Sequence, residues 1–222
     1  MDLRSMEFAH DMKMPIQLIY SCVQLLEMEV SPNARAERYL KTLMQSAGQL
    51  QEMVRNALDG DRLQRGRNQL RLSRLDVVAE VRRICRQCDL FAREKGIRID
   101  FAGSAAEFEM ISDLEKLQRM LHNLISNALK FTPEGGRVAV ECDVAEDVVE
   151  LRVRDNGCGI PVERQARIFE LGETDGGYGF GLAIVREYAT LLGGSVTVDS
   201  APGRGSCFTL RLPVMHAPEQ IN

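Results

Sequence analysis

The sequence lacks the features that mark several broad protein classes. No window approaches eighteen uninterrupted apolar residues, so nothing in it reads as a bilayer-spanning helix. A formal net charge of −4 leaves no basic footprint for nucleic acid and no polybasic membrane anchor. The opening residues, MDLRSMEFAH, are too charged for a secretory signal. Internal repeats and low-complexity tracts are missing too. Cys22, Cys85, Cys88, Cys142, Cys158 and Cys207 are scattered through 222 residues, a chain too large to need disulfide staples. Cys85 and Cys88 form a CxxC, but no second pair follows, so reduced thiols in a cytosolic protein are expected.

With 45% apolar and 27% charged residues, a true core can form. The first sixty residues carry two helical seams. Phe8, Met12, Ile16, Ile19, Val23, Leu26 and Val30 step by three and four, as do Ala36, Leu40, Leu43, Ala47, Leu50, Val54 and Ala57. Between them Ser31-Pro32 supplies an N-cap and a proline at the first helical position. This predicts an antiparallel helical hairpin over 1–62. It buries little alone, and its near-heptad spacing points to a homodimer built as a four-helix bundle.

After a polar linker at 63–68 the pattern changes to α/β. QLRLSRL, IRIDFA and FEMIS read as strands, and VVAEVRRICRQCDLFAREKG as a helix stopped by Gly96. LEKLQRMLHNLISNALKF is a helix with apolar residues at 114, 117, 121, 124, 125 and 128. RVAVECDV and VVELRVRD alternate with period two around the turn AED, which predicts a hairpin. FGLAIVREYATLLGG is a further helix, and SVTVDS and SCFTLRLP are strands around APGRG. Antiparallel strands with helices on one face predict a two-layer α/β sandwich over 69–215, followed by a tail at 216–222.

Three stretches of this second domain carry ligand chemistry. In HNLISNALKFT, Asn123 and Asn127 share a helical face, with Lys130 near the end of the same helix. Carboxamide oxygens suit a magnesium ion that keeps most of its waters. Lys130 can meet a phosphate and Phe131 can lie against a base, although two asparagines alone fit a solvated face equally well. In DNGCGIP, Asp155 follows a strand directly, and Gly157 and Gly159 permit a tight turn with close backbone approach. Its carboxylate can accept from an exocyclic amine such as adenine's. In GGYGFGLAI, Gly177, Gly179 and Gly181 bare backbone N–H groups at a helix start, an anion cradle. A fourth stretch, GGSVTVDSAPGRGSCFTLRLP, reads as mostly structural, two strands closing the sheet.

Together and in this order the stretches resemble the ATP-binding domain of the gyrase, histidine-kinase and mismatch-repair superfamily (the Bergerat fold), and within it a sensor histidine kinase. HNLISNALKFTPEGG is similar to that family's N box, DNGCGIP to its G1 box, ARIFE to its F box and GYGFGLAI to its G2 box. The resemblance implies ATP and Mg²⁺ as cofactors. It implies Asn127, helped by Asn123, on the metal, and Lys130 toward phosphate. It also implies Asp155 on the adenine amine, Phe131 beside the ring, and Gly177, Gly179, Gly181 and Leu182 around the phosphates. Only ELGETDG, residues 170–176, separates Phe169 from Gly177. The family's lid is longer there, so looser or faster-exchanging nucleotide is expected.

In the same light FAHDMKMP is similar to the family's H box. His10 stands two residues from the seam position Phe8, about 200° around a helix, and should face solvent. The resemblance makes it the phosphoacceptor, with Asp11 holding or accepting the proton of the other ring nitrogen. The implied partner is the receiver domain of a response regulator, and Pro15 permits a bend just beyond the histidine. At Met14 the family places Thr or Asn, which positions water for dephosphorylating the regulator. A thioether cannot donate and accepts weakly, so impaired phosphatase activity is expected. The expected location is cytoplasmic, as part of a larger sensor. A degenerate scaffold that binds a regulator without phosphotransfer is the alternative, and an ATPase of the gyrase type is disfavoured by the H box hairpin.

Overall fold

A computed structural model describes residues 69–145, 147–170 and 181–214, together with Ile19, Ser21, Gln24, Leu43, Ala47 and Gly48, all six of which are helical. The chain divides into two compact units, Met1–Asn68 and Gln69–Asn222. The hairpin, the linker at 63–68 and the tail at 216–222 lie outside the described residues, apart from those six positions.

The second unit contains β1 (Leu72–Asp76), α1 (Val77–Glu94), β2 (Arg98–Gly103), β3 (Glu109–Asp113), α2 (Leu114–Phe131), β4 (Arg137–Val144) and β5 (Val148–Asp155). It continues through a single turn α3 (Val162–Gln165), α4 (Gly181–Leu191), β6 (Ser195–Ala201) and β7 (Gly205–Pro213). Five strands form one sheet in the order β2-β4-β5-β7-β6, while β1 and β3 make a separate antiparallel ribbon. The expectation of antiparallel strands holds for β4–β5, β5–β7 and β6–β7. It fails for β2, which runs parallel to β4. A parallel neighbour needs a long crossover, and here β3 and α2 supply it.

Local chemistry sets the helix limits. Asp76 caps α1: its Oδ1 accepts from Val78 N and Ala79 N at 3.0 Å each, and from Phe108 N at 3.1 Å. Beyond its last turn Gly96 adopts φ +65°, which closes the helix in the left-handed region. Asp113 caps α2, whose end is fixed by Thr132: its N and Oγ1 both donate to Ala128 O, and Pro133 follows.

The core lies between the helices and one face of the sheet. Val138, Val140 and Cys142 of β4, Val149, Leu151 and Val153 of β5, and Phe208, Leu210 and Leu212 of β7 point into it. From α2 come Leu117, Met120, Leu121, Leu124, Ile125 and Ala128; Leu114 is exposed instead, as the first residue of the helix. The opposite sheet face is charged, with Arg152 bridging Glu141, Asp143 and Glu150 and with Arg137 paired to Asp100. That division is what a two-layer sandwich requires. Cys85 and Cys88 are buried, and burial pushes their thiols up to about 12 and about 11. Protonated at neutral pH, they are poor nucleophiles and poor metal ligands.

Candidate nucleotide-binding site

The alternation that buries Val149, Leu151 and Val153 also carries Asp155 inward, at the end of β5. Asp155 is only 6% exposed. Oδ1 accepts from Gly157 N at 2.8 Å and from Ser206 N at 3.3 Å. Oδ2 takes no hydrogen bond among the described residues. Burial therefore raises the Asp155 pKa above the ordinary carboxylate value, with the two backbone donors pulling the other way. A buried acceptor with an unused oxygen is a site for an incoming donor.

The turn after Asp155 is locked by backbone contacts. A Cβ at Gly157 would collide with the Phe131 carbonyl, the same oxygen that accepts from Cys158 N at 3.3 Å. The G1 turn is thus seated against the C-terminal end of α2. Gly159 has φ +70° and sits against the Ala201 carbonyl, where no side chain fits. Gly205, at φ +79°, abuts the Asp155 carbonyl in the same way.

Asn127 is half-buried on α2 and its carboxamide takes no hydrogen bond among the described residues. Asn123, one turn earlier, is 3% exposed, and its Nδ2 donates to Gly181 O at 3.2 Å. It ties α2 to the first residue of α4. Gly181 has ordinary room for a Cβ, so local packing does not demand glycine there. Leu182 is half-buried on the same turn of α4. Lys130 is exposed and its ammonium lies 4.9 Å from the ring centroid of Phe131, itself 37% exposed. Phe169 stands at the other root of segment 170–180 and packs edge-on to Phe208 at 6.3 Å.

The structure thus gathers Asp155, Gly157, Gly159, Phe131 and Lys130 around the C-terminal end of α2, with Asn123 joining that helix to Gly181. Gly177, Gly179, His10, Asp11 and Met14 lie outside the described residues. Four residues were not anticipated from sequence. Asn156 Oδ1 accepts from Arg137 N at 2.7 Å and holds the start of the turn. Ser200 Oγ accepts from Ile160 N at 2.8 Å and meets Gly205 O at 2.8 Å. Gln165 Nε2 donates to Ile160 O and to Ser200 O at 2.9 and 2.7 Å. Ser206 backs Asp155 directly, so APGRGS is more than a structural turn. Its two glycines in three residues were the available signal.

An inward carboxylate at a strand end, a glycine turn against a helix and an open carboxamide on that helix belong to one α/β sandwich. Residues 112–216 match the family model of histidine kinase-, DNA gyrase B- and HSP90-like ATPases. The chain is 33% identical over 225 residues to the aerobic respiration control sensor protein ArcB of Escherichia coli, covering 96% of this chain and 29% of that protein. Hybrid signal transduction histidine kinase D of Dictyostelium discoideum is also 33% identical, over 96% of this chain and 15% of its own length. Among solved structures, full-length ShkA in complex with AMPPNP is similar, with TM-score 0.77 and 30% identity over 96% of this chain and 46% of that one. This chain therefore spans less than half the length of each of those proteins. Residues 112–216 thus match an ATPase domain of that family, and the curated relatives that align with nearly all of this chain are named as histidine kinases or sensor proteins. No helix among the described residues is long and apolar enough to cross a membrane.

Proposed function

We propose that the chain is an ATP-dependent protein-histidine kinase that phosphorylates His10 and passes the phosphoryl group to an aspartate of a response-regulator receiver domain. The observation that carries this reading is Asp155: a buried carboxylate with one oxygen unused, in a glycine turn seated against the end of α2, the helix that also carries Asn127. Asp155 accepts from the adenine amine while Phe131 flanks the ring. Gly177, Gly179, Gly181 and Leu182 surround the phosphates and Lys130 approaches them. Residues 1–62 supply the dimerising hairpin, 63–68 the linker and 69–215 the catalytic domain, ahead of a tail at 216–222.

Magnesium fits the residues present. The ion commonly keeps several waters and uses one or two protein oxygens beside substrate phosphates. Asn127 offers such an oxygen, and Asn123 supports it by holding α4. No group of three or more His, Cys, Asp or Glu that could form an all-protein cage occurs among the described residues. When bound, the ion offsets the negative charge of the phosphates. A neutral nitrogen of His10 forms the N–P bond in line as the bond from γ-phosphorus to the ADP oxygen breaks. Asp11 holds the other ring N–H, which keeps the attacking nitrogen unprotonated.

Incubation with γ-labelled ATP and magnesium tests this reading. An acid-labile, alkali-stable label on the native chain, absent from His10→Gln, is the expected result. Regulator binding without any label would favour the degenerate scaffold instead. Met14 bears on the reverse reaction, since its thioether cannot position water as a hydroxyl can. The phosphorylated regulator is expected to lose phosphate at least about tenfold faster with Met14→Thr than with the native chain. Equal rates would remove Met14 as the cause.

A further inference from the structure

Lysine is rarely buried, yet Lys116 on α2 is only 9% exposed. Its ammonium lies 2.9 Å from Asp113 Oδ2, 3.0 Å from Gln69 O and 5.6 Å from the ring centroid of Tyr188. Asp113 is 1% exposed. Its Oδ1 accepts from Lys116 N, and Oδ2 also accepts from Arg71 N at 2.8 Å. One buried ion pair therefore holds three things: the N-terminus of α2, a ring on α4, and the strap Gln69–Arg71 just ahead of β1. The ladder with β3 secures the chain only from Leu72 onward.

The two helices are tied twice. Asn123 meets Gly181 and Lys116 meets Tyr188, so α2 and α4 run antiparallel with ties seven residues apart on each. Seven residues are two turns, about 10 Å. Buried Ala183, Ile184, Val185 and Ala189 pack α4 into the core, and the Lys116–Tyr188 contact adds a charged tie at the far end of the helix pair.

We infer that Lys116 is a positioning residue for the nucleotide: it clamps α4 to α2, and both to the incoming strap, setting from the far end of the helix pair the spacing between Gly181 and Asn127. The inference rests on reading this site as an ATP site. The spacing matters to the phosphates, which lie between those residues in that reading. It does not matter to the adenine, because Asp155 is held by β5, its own turn and β7.

Affinities of the full chain for AMPPNP with magnesium and for adenosine, which lacks phosphates, test this, with thermal melts alongside. Lys116→Met leaves a buried carboxylate unpaired and can unfold the domain. The double variant Asp113→Asn/Lys116→Gln, in which amides replace both charges, is therefore measured beside it. Folded variants are expected to bind AMPPNP about tenfold more weakly and adenosine within about twofold of native, with Lys116→Arg recovering most of the AMPPNP affinity. A folded double variant with native AMPPNP affinity, or with equal losses for both ligands, would reduce Lys116 to a stability element and overturn the inference. A native chain that binds neither ligand would overturn the reading of the ATP site, and this inference with it.

Discussion

Asp155→Asn should abolish nucleotide binding while leaving the domain at least as stable as before. The amide oxygen keeps the place of Oδ1 and still accepts from Gly157 N and Ser206 N. The amide nitrogen replaces Oδ2, so a donor faces the incoming amine where an acceptor stood. An unpaired buried donor on each side lowers affinity by about 100-fold or more. Stability moves the other way. The Asp155 pKa is raised in the folded protein by burial, so folding favours its neutral form more than the unfolded chain does. Its stabilising contribution is present below the unfolded value and lost as pH rises through the folded value. At neutral pH the buried charge is a cost, which asparagine removes. Calorimetric titration with AMPPNP and a thermal melt check both halves. A large fall in melting temperature would mean that the carboxylate holds the fold together rather than waiting for a ligand.

Gly159→Ala should destabilise the domain far more than Gly203→Ala, although both glycines have a φ near +70°. The shared conformational penalty for alanine is about 1 kcal/mol. At Gly203 nothing lies within 4 Å of the added Cβ, so that penalty is the whole effect. At Gly159 the Cβ runs into the Ala201 carbonyl and comes within 3.2 Å of Gly205 O. Neither backbone can yield without moving the contact between Gly205 and Asp155, so a total of about 3 kcal/mol is expected. In a domain of this size that lowers the melting temperature by roughly 10 °C, against about 3 °C for Gly203→Ala. Denaturant titration of the two variants separates the terms. Equal losses would show that the G1 turn relaxes freely and is not seated against β6 and β7.

Much of this was legible in the sequence because it is local. The hairpin strands β4 and β5 follow their period-two alternation to the residue, and α2 runs between a capping aspartate and a Thr-Pro stop. Asp155 could be placed because a strand, a carboxylate and two glycines are contiguous. What escaped was long-range. The parallel pairing of β2 with β4 depends on the path of a crossover, and nothing in IRIDFA encodes a direction. Ser206 reaches Asp155 across 51 positions. The burial of Lys116 has no local signal in LEKLQRML, because only the fold brings Gln69 and Tyr188 to it.

The measurement that bears most directly on the kinase reading is the site of phosphate after incubation with ATP and magnesium, mapped by peptide mass spectrometry under non-acidic conditions. The account predicts a single phosphohistidine at His10, lost on brief acid treatment and absent from Asp155→Asn. Phosphate on another residue, or none at all on a chain shown to bind AMPPNP, would contradict it.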